Sequence, residues 1–248
     1  MSLPHLVQPV EIENGTYEIE RICAENARRK RDIPQGFYGW DRVSNCFTHT
    51  QLIRDCIAEL TRTKMFPLEG KSVADIGCGS GTWLLEFAQW EASHLHGIDL
   101  DESQVGRAKA RFPSADLRVG DAQHLPWPDS SFDLVSQFVM FTSILSVTVK
   151  MQIAREMWRV AKPGGAILWF DFRVNNPSNK NVRGIPSSEI HSLFPDGSIR
   201  LRRVTLAPPL ARRIVPVSWI AASCLEKIPL LRTHYLGIIR KRSVCQLR

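Results

Sequence analysis

The sequence predicts an α/β fold in which a mostly parallel sheet carries helices on both faces. From Lys71 onward, short apolar stretches alternate with amphipathic ones. This alternation predicts strands at 71–76, 94–99, 115–119, 131–136 and 166–171, and helices at 81–91, 102–111 and 146–161. In the last of these helices, Val149, Ile153 and Met157 recur every four residues and form a stripe that faces a core.

The two ends of the chain follow a different pattern. Before the sheet, we predict a helix at 16–31, a glycine-punctuated aromatic loop at 33–42 and a helix at 45–64. After it come a polar loop, a helix at 187–194, a strand at 198–206, a helix at 217–227 and a strand at 234–240. We expect residues 1–66 to form a helical lid over a core at 67–248, with a basic, proline-rich insertion at about 207–228.

Composition is that of an ordinary globular protein: 248 residues, 44% apolar and 23% charged. No apolar run approaches the roughly 18 to 20 residues of a membrane-spanning helix, and no apolar signal core follows the N-terminus, so we expect a cytoplasmic protein. The six cysteines include no C-x-x-C pair and no histidine partner at metal-ligand spacing. We therefore predict neither a disulfide nor a metal site.

The segment at 73–82 ends an apolar strand in three glycines at alternate positions, Gly77, Gly79 and Gly81. Because glycine has no Cβ, a ligand can lie directly against the peptide planes of such a turn. A dinucleotide fingerprint has two residues between its second and third glycines, whereas only Ser80 stands there in this chain. Asp99 ends the next strand, where a carboxylate can accept hydrogen bonds from ribose hydroxyls. The pattern indicates a nucleoside ligand other than a dinucleotide.

Asp75 within the strand and the G-x-G-x-G spacing resemble the first motif of class I S-adenosylmethionine-dependent methyltransferases. The segments at 121–122, 125–135 and 156–165 continue the resemblance in the family's order. It implies a Rossmann-like class I fold with seven strands, the last antiparallel, and S-adenosyl-L-methionine as cofactor, with the Asp121 carboxylate at the adenine amino group. We expect the cofactor to be bound by Arg42, Asp75, Gly77, Cys78, Gly79, Asp99, Leu100, Asp121, Ala122 and Gln137.

Methyl transfer is an in-line displacement, so alignment of the two reactants can supply most of the catalysis. A hydroxyl acceptor must also lose a proton, which makes a general base useful. Asp171, at the end of the fifth strand, and His49, at the start of the helix after the aromatic loop, are the candidate catalytic bases. The loop beyond Asp171 is rich in side chains that recognise hydroxyls. The predicted substrate-binding residues are Tyr38, Arg173, Asn175, Asn176 and Arg183.

The predicted function is O-methylation of a hydroxyl on a sugar or glycan. Besides the polar loop, the segments at 169–177, 206–213 and 233–236 are similar to those of bacterial methyltransferases associated with surface-polysaccharide biosynthesis. The alternatives are O- or N-methylation of a small lipophilic metabolite of the quinone or polyketide type, and a non-catalytic cofactor-binding module. A dehydrogenase is disfavoured by the glycine spacing and by the absence of a Tyr-x-x-x-Lys pair. Nucleic-acid N-methylation is disfavoured because 136–140 lacks the expected Pro-Pro and aromatic element.

Basic residues are concentrated in two places. Residues 28–31 end the first helix, where cations suit the helix dipole and either face solvent or bind an anion. Residues 200–248 hold eleven Arg or Lys and a single acid, around a helix that contains Val217, Trp219 and Ile220. Such a helix either packs on the sheet with its cations solvated or rests on an anionic membrane surface, which would place the protein peripherally at the inner face.

Overall fold

The computed structural model describes residues 9–34, 36–37, 39–177 and 179–241, with the backbone alone for 9–14. The strands form one sheet in the order β3-β2-β1-β4-β5-β7-β6. Neighbours from β3 to β5 are parallel, and β7 is antiparallel to both β5 and β6, as predicted. The strands are β1 Ser72–Ile76, β2 His94–Asp99, β3 Asp116–Val119, β4 Phe132–Phe138, β5 Ala161–Phe172, β6 Ser198–Leu206 and β7 Arg232–Arg240.

The α-helices are α1 Pro9–Asp32, α2 Val43–Arg62, α3 Thr82–Gln89, α4 Glu102–Arg111, α5 Val147–Val160, α6 Ser187–Leu193, α7 Pro208–Ile214 and α8 Trp219–Glu226. Two differ from the sequence prediction. Helix α1 begins seven residues earlier, at Pro9, and the proline-rich segment forms the short helix α7. Pro208 and Pro209 stand in the first turn of α7, where a missing backbone N–H breaks no helical hydrogen bond.

Side chains alternate along each central strand, so the sheet is buried on both faces. On β5, Ile167 and Trp169 enter one core with α5, while Leu168 and Phe170 enter the other. Leu52, Cys56 and Leu60 of α2 belong to the second core, together with residues of α3. Helix α2 is thus a layer of the core, although the sequence grouped it with a lid.

Helix α1 lies across the carboxyl ends of the strands. The Glu18 carboxylate accepts the amide of Leu145, in the loop that leads from β4 to α5. Lys30 pairs with Asp101 after β2, and the Asn181 amide, beyond β5, donates to Glu25 at 2.7 Å. These contacts fix α1 over the edge where open α/β sheets bind ligands. The expected domain boundary at residue 66 stays a prediction.

No helix in the described ranges is both long enough and apolar enough to cross a bilayer.

Gly237 in β7 marks a place where β6 leaves no room for a side chain. A Cβ there would lie 2.5 Å from the Arg200 carbonyl oxygen and 2.5 Å from Leu201 Cδ2. We expect Gly237→Ala to destabilise the fold by about 1–3 kcal/mol, which lowers Tm by about 2–4 °C per kcal/mol in a thermal melt.

Gly106→Ala is the matched control, because nothing lies within 4 Å of a Cβ at that position in α4. Alanine favours the helix there by about 0.5–1 kcal/mol, so Tm should rise. A Gly237→Ala variant as stable as the wild type would contradict the register of β6 on β7.

Candidate functional site

The turn between β1 and α3 is held against the end of β2. The Ile98 carbonyl accepts the amides of Gly77 at 2.8 Å and Cys78 at 3.0 Å, and Asp99 Oδ2 accepts the Gly79 amide at 2.9 Å. Gly77 and Gly79 have φ values of 77° and 51°, which side-chain-bearing residues rarely adopt. Nothing lies within 4 Å of a Cβ built at Gly79, so a ligand has room to lie directly on this peptide.

A cavity of about 240 Å³ opens beside this turn, at the carboxyl edge of the sheet. It lies where the strand order reverses between β1 and β4, the usual ligand site of an open α/β sheet. Five of the predicted cofactor-binding residues line it together: Gly77, Asp99, Leu100, Asp121 and Ala122.

Both carboxylates in the cavity are oriented by neighbouring groups. Asp99 Oδ1 accepts the Asp101 amide at 2.9 Å, and Oδ2 accepts that of Gly79, which leaves each oxygen a lone pair for a hydroxyl. Burial raises the pKa of Asp99, and these two amides oppose the rise because they stabilise the ionised form. Asp121 accepts the backbone amide and the side-chain amide of Gln123, at 2.9 and 2.8 Å.

Helix α1 supplies part of the cavity wall through Ile19, Ile22, Asn26 and Arg29. The Arg29 guanidinium donates to Glu25 Oε1 at 2.9 Å, which orients it. From the sequence, Arg29 belonged to a basic helix end with two possible roles. Its place in the cavity depends on how α1 docks, which the sequence of α1 does not reveal.

Three predicted cofactor ligands support the site from behind, and none of their side chains lines the cavity. Asp75, 2% exposed in β1, accepts the Ser136 hydroxyl at 2.7 Å, and burial raises its pKa to about 7. Cys78 is buried, and a Cβ on Gly97 would lie 2.9 Å from its sulfur. Gln137 is fully buried, accepts the Met140 amide and donates to the Phe170 carbonyl.

Arg42, predicted to pair with the cofactor carboxylate, is exposed and lies outside the cavity wall. Its guanidinium stands 5.0 Å from the centroid of the Phe37 ring. Tyr38, a predicted substrate contact, lies outside the described residues.

Asp171 is not placed as the sequence analysis expected of a general base. It is 1% exposed, and its carboxylate accepts the amide and hydroxyl of Thr142 and the amide of Phe172. Burial raises its pKa to about 7, while these hydrogen bonds oppose the rise. The side chain fastens the loop after β4 to the end of β5 and does not face the cavity.

The polar loop after β5 is engaged within the chain. Asn175 accepts the Gly184 amide at 2.9 Å, Arg183 pairs with Glu189 at 2.8 Å, and Arg173 donates to the Arg232 carbonyl at 3.1 Å. None of these side chains lines the cavity, nor does Asn176. Their hydrogen bonds hold the loop in place, so this geometry gives no support to the predicted hydroxyl recognition.

A series of ring contacts runs from the surface to the cavity wall. The exposed Trp40 contacts His49 with centroids 4.5 Å apart, and His49 contacts Trp83 at 5.1 Å. Trp83 stacks on Phe138 at 3.7 Å, and Phe138 lines the cavity. We call these four residues the aromatic series. They come from four separate segments, so only the fold reveals that they touch.

His49, the second predicted base, also has a carboxylate partner. Its Nε2 lies 2.9 Å from Glu86 Oε1, and Glu86 is buried on α3. Sequence analysis missed Glu86 because it lies 37 residues from His49 on a different helix. The pair has the arrangement of a histidine oriented by an acid.

Within the described ranges, no three His, Cys, Asp or Glu side chains come together as metal ligands.

Residues 73–165 match the family model for a methyltransferase domain. The chain is thus similar to methyltransferases over this stretch. It is 36% identical over 122 residues to the demethylmenaquinone methyltransferase of Listeria welshimeri, covering 46% of this chain and 50% of that one. It is 34% identical over 99 residues to a probable S-adenosylmethionine-dependent methyltransferase of Mycolicibacterium smegmatis, covering 40% and 37%. The chain thus spans half or less of the length of these curated relatives.

Among solved structures, it resembles a SAM-dependent methyltransferase of Methanosarcina mazei, with a TM-score of 0.54 and 20% identity, covering 71% of this chain and 94% of that one. This likeness confirms the predicted Rossmann-like class I methyltransferase fold.

The buried Asp75 gives a test that depends on pH. Its pKa of about 7 in the folded protein exceeds the ordinary value of 3.8, so the folded state binds more protons than the unfolded chain between these values. The stability that Asp75 contributes is therefore lost as pH rises from about 4 to about 7. An amide in place of this carboxyl group would have no proton to lose.

As pH rises across this range, the free energy of unfolding of Asp75→Asn should increase relative to that of the wild type by up to about 1.4 kcal/mol per pH unit. Urea denaturation of both proteins measures this difference. Parallel curves for the two proteins would contradict a raised pKa at this position.

Proposed function

We propose that this protein transfers a methyl group from S-adenosylmethionine. The observation that carries the proposal is the cavity, because it joins the G-x-G-x-G turn to Asp99 and to the Asp121–Ala122 pair at one strand-order reversal. The relative from Mycolicibacterium smegmatis, named for the same cofactor, supports it. These relatives match half of the chain or less, so the activity of the whole protein is part of the proposal.

The residues present fit this cofactor. The lone pairs left on Asp99 suit two ribose hydroxyls, and Leu100 and Ala122 offer an apolar surface to a purine. The open peptide at Gly79 admits a ligand at contact distance. The cofactor, when bound, supplies the electrophilic methyl group. The chain binds it, orients it and, through α1, shields it from water.

For the acceptor, we propose a lipophilic, ring-containing molecule with a hydroxyl group. The aromatic series leads from the surface to the cavity wall and offers flat apolar faces, which suit stacking with a ring. The relative from Listeria welshimeri is named for a quinone substrate, demethylmenaquinone. The glycan prediction relied in part on the polar loop after β5, whose side chains are engaged elsewhere.

The acceptor proton would pass to His49 in this proposal. If Glu86 accepts a hydrogen bond from Nε2–H, the His49 Nδ1 is left as the proton acceptor. The Glu86 carboxylate then stabilises the imidazolium that forms, as the acid of a catalytic triad does. Asp171 is 1% exposed and both of its oxygens accept hydrogen bonds within the chain, whereas His49 is partly exposed.

Isothermal titration calorimetry tests the cofactor. We expect micromolar binding of S-adenosylmethionine and of its demethylated product, and weaker binding by about 1.5–3 kcal/mol in Asp99→Ala, which loses charge-assisted hydrogen bonds. Asp196→Ala removes an exposed carboxylate outside the cavity wall and serves as the control with unchanged affinity. Tight NADH binding with no heat from the sulfonium cofactor would overturn the proposal.

The base is tested by turnover with 1,4-dihydroxynaphthalene as acceptor, followed as S-adenosylhomocysteine formed. His49→Gln should lower the rate by about two to four orders of magnitude and leave cofactor affinity unchanged. Glu86→Gln should have a smaller effect, because it removes only orientation and charge. Normal turnover in His49→Gln, with a loss of that size in folded Asp171→Asn, would return the role to Asp171.

A further inference from the structure

The segment from α7 to the start of β7 exposes large apolar side chains. Val217 is 86% exposed, Ile220 76% and Leu230 84%, with Trp219 and Ile228 partly exposed beside them. Exposed residues of this size grouped on one short segment are unusual for a surface that faces only water. Together with Arg213 and Lys227, these five residues are called the docking surface below.

The inner side of this segment is firmly packed, so the outward side chains are presented on a fixed support. Ala211, Val215 and Ala222 are buried against Phe47 of α2 and Leu206 of β6. The Trp219 ring meets Phe47 edge-on, with centroids 5.0 Å apart. The Ser218 hydroxyl accepts the Ala221 amide at 3.1 Å and caps α8. The core on this side is therefore packed by other residues, and Val217, Ile220 and Leu230 lie outside it.

Positive charge accompanies the apolar side chains. Arg213 and Lys227 are exposed, and neither forms an ion pair with any residue that the structure describes. Glu226 is the single acid of residues 200–248, and it is buried. The docking surface thus combines apolar side chains with cations that have no acidic partner among the described residues.

We infer that the docking surface binds the face of an anionic lipid bilayer. Its apolar side chains would enter the boundary between headgroups and acyl chains, and its cations would meet lipid phosphates. An apolar protein partner would cover the same side chains but would leave Arg213 and Lys227 without acidic partners. Charge complementarity therefore selects an anionic membrane over a neutral apolar partner.

The docking surface borders the outer end of the aromatic series. Phe47, which contacts Trp219, follows Cys46, whose thiol donates to the Trp40 carbonyl. Arg212 of α7 lies 4.7 Å from the centroid of the Phe37 ring in the same loop. If the proposed function holds, a lipophilic acceptor can pass from the bilayer to Trp40 and along the series. Membrane binding itself does not depend on that activity.

The experiment is cosedimentation of the full chain with sucrose-loaded vesicles, without cofactor or acceptor. Vesicles of phosphatidylcholine alone are compared with vesicles that contain about one third phosphatidylglycerol, each at about 0.05 M and about 0.5 M salt, where the Debye length is about 14 and about 4 Å. We expect binding to the anionic vesicles at low salt, and its loss at high salt.

Two double variants separate the contribution of charge to vesicle binding from that of the apolar side chains. Arg213→Gln with Lys227→Gln should weaken vesicle binding about fivefold for each charge removed. Ile220→Ser with Leu230→Ser should weaken it at least tenfold, because these side chains no longer enter the bilayer. The matched control is Met151→Gln with Arg155→Gln on α5, an exposed apolar and cationic pair on the opposite face of the sheet, which should bind as the wild type does.

Equal sedimentation with both vesicle types, sedimentation with neither, or variants indistinguishable from the wild type would overturn the inference. A protein that is dimeric in solution, and that Ile220→Ser with Leu230→Ser makes monomeric, would also overturn it, because the occupant would then be a second copy. Loss of vesicle binding in a variant that still binds the cofactor by calorimetry separates this result from failure of the proposed function.

Discussion

The backbone turn at the end of β1 is the constraint on which the site depends. One carbonyl, that of Ile98, accepts two consecutive amides of the turn, and the Asp99 carboxylate accepts a third from Gly79. These bonds tie the first two strands together at their carboxyl ends. They require the positive φ angles of Gly77 and Gly79, and they leave the Asp99 carboxylate at the cavity. The residue that would read a ribose is thus also the residue that shapes the turn.

The acidic residues around this edge divide into three groups by what surrounds them. Glu18 and Glu25, on α1, meet backbone amides, arginines and an asparagine, and they fasten the helix over the cavity. The hydrogen bond from the Arg28 guanidinium lowers the pKa of Glu25 to about 2, so this carboxylate is ionised at neutral pH. Asp75 and Asp171 are buried within the sheet, where desolvation raises their pKa values and hydroxyl donors hold them. Among the acids that the structure describes, only Asp99 and Asp121 combine a fixed orientation with a place in the cavity wall.

Composition alone suggests that polar side chains recognise a ligand and that aromatic side chains fill the core, and here the contacts differ from both expectations. The asparagine- and arginine-rich loop after β5 looks like a recognition surface, yet its hydrogen bonds are spent on Gly184, Glu189 and Glu25. The four rings of the aromatic series look like ordinary core residues, yet they connect the surface to the cavity. Buried polar groups need hydrogen-bond partners, so the side chains of a polar loop that packs on the protein form hydrogen bonds within the chain.

The sequence by itself determined the sheet, the glycine turn and the two acids of the cavity wall, because each follows from local periodicity or from positions fixed within a few residues of a strand end. It could not determine which side chains beyond the strands face the cavity. Gln137 and Asp171 end strands as ligands do, but strand alternation and the loop after β4 turn them inward to backbone and hydroxyl groups. Arg29 lines the cavity only through the docking of α1, and Glu86 meets His49 only through the packing of α2 on α3. Contacts between distant segments depend on how whole elements pack, and that information lies in the tertiary structure.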